Sequence, residues 1–192
     1  MEENIKVEDD IKVFGFWIYL MTDLIIFAVL FACFIVLRNS TFGGPSGHEL
    51  FRMSSVLIET LALLTSSFTC SLAMFEIQQK RKNMATFWFA VTFALGMVFL
   101  FIEFSEFSEL MDKGANWQRS AFLSAFFTLV GTHGLHISVG LLWIIIAIFR
   151  VWLRPLSAFN VCNIFRLVLF WHFLDLVWIF IFTVVYGTGH LL

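Results

Sequence analysis

The chain alternates five long apolar runs with short polar breaks. The runs cover about 14–37, 53–77, 84–102, 121–149 and 164–186. A helix rises about 1.5 Å per residue and needs roughly 20 mostly apolar residues to cross the hydrocarbon core, so each run predicts one span. The predicted helices extend over 14–37, 53–77, 84–110, 121–149 and 164–187. Asn39, Gly43, Gly44, Pro45, Ser46 and Gly47 punctuate the first connection and Pro155 the last, all turn-forming or helix-ending residue types. Short connections between long helices predict a bundle of sequential antiparallel neighbours. The fold class is therefore all-α: an integral membrane bundle of five transmembrane helices in one domain, residues 1–192. No repeat, linker or low-complexity tail interrupts it, and the acidic head, residues 2–10, is too small to fold by itself.

Composition agrees with this pattern and excludes a soluble domain. Hydrophobic residues make up 60% of the chain, aromatics 18% and charged residues only 14%, which leaves too little polar surface to face water on all sides. Orientation follows from Lys and Arg. With a cytoplasmic N-terminus, Lys6, Lys12, Lys80, Arg81, Lys82, Arg150, Arg154 and Arg166 fall on the cytoplasmic side, and Arg38, Arg52, Lys113 and Arg119 on the other. The bias predicts N-terminus cytoplasmic and C-terminus periplasmic. The head lacks a basic n-region and a small-residue cleavage site, so the first helix reads as a retained span. No basic stripe suggests nucleic acid. Cys33, Cys70 and Cys162 are singletons on separate segments without metal or redox spacing, and read as packing residues.

The ionisable residues inside the spans carry the chemistry. Counted along each helix, Asp23, His133, His136, His172 and Asp175 share a layer near the bilayer centre. Glu59 and Glu103 form a second layer nearer the outer surface, with Glu106 a turn further out. An isolated charge in hydrocarbon costs several kcal/mol, so each group is expected to face another helix, a partner protein or water. His133 and His136, three apart in THGLH, with His172 could supply ligands to a haem or metal. Gly131, Gly134 and Gly140 on the same helix argue instead for close packing and interhelical hydrogen bonds, which is the preferred reading. Glu103, Glu106 and Glu109 recur every three residues and cannot all ionise easily together in a low dielectric. They admit a structural or lipid-contacting role, which is preferred, or proton conduction. The hydroxyls of TSSFTCS, residues 65–71, are expected to bond across tight helix contacts or back to their own helix. Trp17, Tyr19, Trp88, Trp117 and Trp152 suit interfacial belts, whereas Trp143 sits too deep and is expected to pack against a helix.

Taken together, GFWIYLMTD (15–23), ETLALLTSSFT (59–69), EFSEF (103–107), FLSAFFTLVGTHGLHISVG (122–140) and WHFLDLVWIFIFTVVY (171–186) resemble subunit III of the haem-copper terminal oxidases over nearly the whole chain. Within that family the resemblance is to the five-helix form of the bacterial cytochrome o ubiquinol oxidases. Glu106 resembles the family's buried acid in the third of these helices, His133 and His136 its paired histidines, and His172 and Asp175 its last-helix pair. Members that use cytochrome c typically carry Asn-Thr and Gln where this chain has Glu59-Thr60 and Glu103, and commonly have seven helices. Both departures resemble the quinol branch. An aa3-type quinol or cytochrome c oxidase subunit is the alternative, and a haem-binding anchor or proton-conducting protein a more distant one. The resemblance implies a non-catalytic subunit of a proton-pumping complex in the bacterial inner membrane, with no active site, cofactor or metal of its own. Haem and copper are then expected in a partner subunit I packed directly against it, with subunits II and IV and bound phospholipid completing the assembly. Asp23, Glu59, Glu103, Glu106, His133, His136, His172 and Asp175 are implied to be structural, or linked to protons or lipid.

Overall fold

In the computed structural model, which describes residues 2–41, 53–153 and 158–187, all regular structure is helical. The elements are α1 (Glu2–Leu37), α2 (Met53–Gln78), α3 (Lys82–Asp112), α4 (Ala121–Leu153) and α5 (Ala158–Ile181), which runs on into a π-helical segment, Phe182–Gly187. All five helices are long and apolar enough to cross a membrane. The turn residues Gly43, Gly44, Pro45, Ser46, Gly47 and Pro155, with Arg52 and Arg154, lie outside the described residues. α1 starts at Glu2 rather than near residue 14, because nothing in the acidic head breaks a helix already nucleated by the apolar run.

The two connections that are described are closed by left-handed residues. Lys80 (φ 60°) ends α2, and the Arg81 amide bonds back to the Glu76 carbonyl at 3.0 Å. Gly114 (φ 72°) ends α3 in the same way, the Ala115 amide reaching the Leu110 carbonyl at 2.9 Å. Ser120 then caps α4, its Oγ accepting from the Leu123 amide at 3.2 Å.

Helices α2, α3, α4 and α5 close a ring, each packing on the next and α5 returning to α2. α1 departs from the expected order: it packs against α4 and α5 rather than against its chain neighbour α2. The reason lies in a narrow stripe. Leu20, Asp23, Phe27 and Phe34, spaced three, four and seven apart, are its buried residues, while most of its other large side chains are exposed. Lipid tails reward no helix merely for burying apolar surface, so shape and polar contacts choose the partner. Here Phe27 meets the His136 ring at 5.3 Å, Phe34 meets Phe122 at 5.9 Å, and Phe16 meets Trp143 edge-on at 5.8 Å. Trp143 also lies against Phe170, as a packing residue would.

Candidate functional site

The hydroxyls of α2 stitch the ring together. Trp171 Nε1 donates to Ser66 Oγ at 3.0 Å, Trp178 Nε1 to Thr60 Oγ1 at 3.1 Å, and Thr69 Oγ1 pairs with Thr92 Oγ1 on α3 at 2.8 Å. Thr65 and Ser71 bond back to the carbonyls of Leu61 and Ser67. Both expected behaviours of this segment occur, because each hydroxyl in hydrocarbon needs an acceptor and the nearest is either four residues back or on the facing helix.

The central layer divides among three places. Asp23 and His136 face each other across α1 and α4, with His136 Nε2 3.9 Å from Asp23 Oδ2. His136 Nδ1 donates to the Thr132 carbonyl at 2.7 Å, since a carbonyl can only accept. His133 is fully buried in an aromatic box. Trp178 stacks on it at 5.3 Å, and Phe99 and Phe27 present edges at 5.9 and 6.3 Å. Neither of its ring nitrogens has a protein hydrogen-bond partner.

His172 and Asp175 share a helix face within electrostatic range of each other, and His172 turns to α2. His172 Nδ1 donates to the Val168 carbonyl at 2.7 Å and Nε2 meets Ser71 Oγ at 2.9 Å, while Asp175 lies near Ser67. A double-mutant cycle follows directly. His172→Leu and Ser71→Ala should couple by about 0.6 kcal/mol, the usual size for a membrane hydrogen bond. His172→Leu and Asp175→Leu should couple as well, by about 0.5 kcal/mol, since neighbours that interact electrostatically do not add. Detergent unfolding of the three single and two double variants checks this, and strict additivity of His172→Leu and Ser71→Ala would contradict the geometry.

The second layer is a carboxylate cluster. Glu59 (1% exposed), Glu103 and Glu106 lie within electrostatic range of one another, and Tyr186 is set among them. Tyr186 escapes a reading of the sequence, because the π segment shifts the last turn of α5 out of the 3.6-residue register on which facing residues are counted. Glu103 lies directly on the α4 backbone: a Cβ on Gly134 would stand 2.7 Å from Glu103 Oε1. Among the described residues, no three His, Cys, Asp or Glu side chains converge on a point where a metal could sit. Cys33, Cys70 and Cys162 stand on three different helices.

Geometry thus describes a polytopic membrane protein with hydroxyl and indole groups bonded between its helices. Comparison with known proteins narrows the class. Residues 2–190 match the family described as cytochrome c oxidase subunit III, and the chain belongs to that family. It is similar to the cytochrome bo(3) ubiquinol oxidase subunit 3 of Pseudomonas aeruginosa, 52% identical over 179 residues, covering 93% of this chain and 86% of the relative. The protein of the same name from Buchnera aphidicola is 44% identical over 197 residues, covering 98% and 99%. A cytochrome c oxidase subunit 3 from Bacillus sp. (strain PS3) is also 44% identical, over 188 residues, covering 98% and 91%.

Proposed function

We propose that this chain is the non-catalytic third subunit of a ubiquinol:dioxygen oxidoreductase that pumps protons in aerobic respiration. Its role is to support the assembly and stability of a haem-copper subunit I, against which it packs, with subunits II and IV and bound phospholipid in the same complex. It lies in the bacterial cytoplasmic membrane with its N-terminus in the cytoplasm and its C-terminus in the periplasm. The observation that carries the reading is the commitment of the histidines. His136 and His172 spend Nδ1 on their own helices, His172 meets Ser71 through Nε2, and His133 is walled in by three aromatic rings. Among the described residues, the three imidazoles thus face partners within the bundle, which suits a subunit built for helix contacts. The Pseudomonas and Buchnera relatives, together with Glu59 and Glu103, support the quinol branch over a cytochrome c oxidase.

Purification through a tag on this chain tests the proposal. A haem-bearing polytopic partner is expected to co-purify, Soret absorption to follow that partner when this chain is detached, and oxygen uptake to be driven by quinol rather than by reduced cytochrome c. Haem retained by the detached chain would overturn the helper role. Preferential oxidation of cytochrome c would move the chain to the other branch.

A further inference from the structure

Two buried carboxyls at the centre of the glutamate cluster keep an oxygen that no helix contact uses. Glu59 on α2 and Glu103 on α3 are 1% and 5% exposed, and neither Oε1 of Glu59 nor Oε2 of Glu103 has a protein hydrogen-bond partner. Glu106 is within electrostatic range of both, and the buried Tyr186 of the π segment is within range of all three. The α4 side is bare backbone at Gly134, in contact with the Glu103 carboxyl. The charges acting on Glu59 and Glu103 are those of other glutamates. Carboxylates so placed in a low dielectric cannot all be charged, and the counter-ion that fits is a proton. It cancels one charge and turns an oxygen that can only accept into a donor for its neighbour.

Toward the end of α3 the cluster continues to the surface. Glu103, Glu106 and Glu109 climb in steps of three residues, about 4.5 Å of rise each. Burial falls along the way: Glu106 is half-buried, and the Glu109 side chain is 37% exposed and paired with Lys113 Nζ at 2.9 Å. Side chains at this spacing are neighbours on one face, a gap that two carboxyls bridge directly or through one water. Toward the opposite face the centre is closed by three fully buried rings. Phe99 meets Trp178 at 4.7 Å, and His133 stacks on Trp178 at 5.3 Å and meets Phe99 at 5.9 Å. Buried Leu63 lies one turn inward of Glu59. Neither His133 nitrogen is bonded to protein, and Trp178 Nε1 donates to Thr60, so no hydrogen-bond chain of described residues crosses this plug. Sideways, Leu100, Phe104 and Leu135 line the seam toward lipid, which carries no protons. We infer that Glu59 and Glu103 form a proton-binding site that exchanges only with the membrane face where α3 ends, by way of Glu106 and Glu109. A hydronium at the mouth gives up a proton and becomes water. Each carboxyl on the way takes a proton on one oxygen and releases one from the other, the proton rests on the inner pair, and it leaves by the same route. Under the topology proposed above that face is the periplasm, where a proton-pumping complex delivers its protons, so the site is a store on the release side. It rests on the membrane-spanning reading and not on the oxidase assignment.

The test uses the intact complex, purified through a tag on this chain and held as a hydrated film under infrared light while light water is exchanged for heavy water at neutral pH. A protonated carboxyl shows a C=O stretch that moves on deuteration, and the difference between parent and variant isolates the residue changed. Glu59→Gln and Glu103→Gln, close in shape to the parent side chains, should each lower the band of the inner pair about twofold, one of its two carboxyls being gone. Glu103→Asp, which keeps the acid, should restore a band at a shifted position. Glu106→Gln places an amide on the route, so it should leave the inner bands in place and slow their exchange about tenfold. His133→Phe should leave both band and exchange rate at the parent level. Unchanged bands in Glu59→Gln and Glu103→Gln would overturn the site. Exchange slowed by His133→Phe and not by Glu106→Gln would overturn the direction of access. Subunit content and oxygen uptake of each preparation are read alongside, so a complex that proves not to be a quinol oxidase overturns that assignment and leaves the carboxyl result standing.

Discussion

Gly140→Val is expected to destabilise the folded chain by about 3 kcal/mol, at the upper end of what overpacking a close-packed interior costs. A Cβ on Gly140 would stand 2.9 Å from Trp171 Cζ3 and 3.1 Å from Cε3, inside any tolerated contact. The indole cannot retreat. It is 1% exposed, its Nε1 is tied to Ser66 on α2, and its far edge already fills the notch at Gly96 on α3. One side chain of α5 thus touches the other three helices of the ring, through two glycines and a serine. Gly96→Ala should be milder than Gly140→Val, because alanine adds one methyl and no branch. Its closest contact is the movable Leu141 Cδ2 at 2.8 Å, and alanine returns about 1 kcal/mol of helix propensity, although its Cβ also meets the fixed indole at 3.0 Å from Trp171 Cη2 and so still destabilises. Adding Trp171→Leu to Gly140→Val should recover part of the loss, a coupling of about 1 to 2 kcal/mol. Unfolding in mixed micelles measures all of these, and a neutral Gly140→Val would mean that the indole is not the clamp described.

His133→Phe is expected to act in the opposite direction and stabilise the bundle by about 1 to 2 kcal/mol. A buried polar group without a partner costs roughly 1 to 3 kcal/mol, and here two ring nitrogens lack one on the protein. Phenylalanine keeps the stack on Trp178 and the edge contacts with Phe99 and Phe27, and its extra ring atom costs less than the relief. Thermal unfolding of the variant should shift upward, and oxygen uptake per assembled complex should stay at the parent level. A loss of 1 kcal/mol or more would show that the imidazole has a hydrogen-bonded partner inside the box. A loss of turnover in fully assembled complexes would give His133 a direct role in proton or electron supply.

The two variants bracket what could be read before the fold was known. THGLH announced close packing on α4, and Gly134 and Gly140 do bring neighbours within contact of the backbone. Which neighbours arrive was not legible: Glu103 in one case and Trp171 in the other. His172 and Asp175 stand three apart on α5, where side chains are neighbours on one helix face. In the folded bundle His172 finds a hydroxyl on α2, that of Ser71 at 2.9 Å. The TSSFTCS hydroxyls were legible as a group for the same reason, and their individual partners were not.

The sequence by itself determined that the chain lives in a membrane, that five helices are long enough to cross it, and which family it resembles, because span length, apolar content and motif order are properties of the linear chain. It also marked every buried carboxylate and imidazole, since such residues stand out within any apolar run. Tertiary structure decided who meets whom. It set α1 against α4 and α5, divided one supposed polar layer among three separate places, and brought Tyr186 among the glutamates. The reason is physical. In lipid no general hydrophobic force arranges one apolar helix against another, so the arrangement rests on the fit of particular glycines, rings and hydroxyls, which exists only once the helices are side by side.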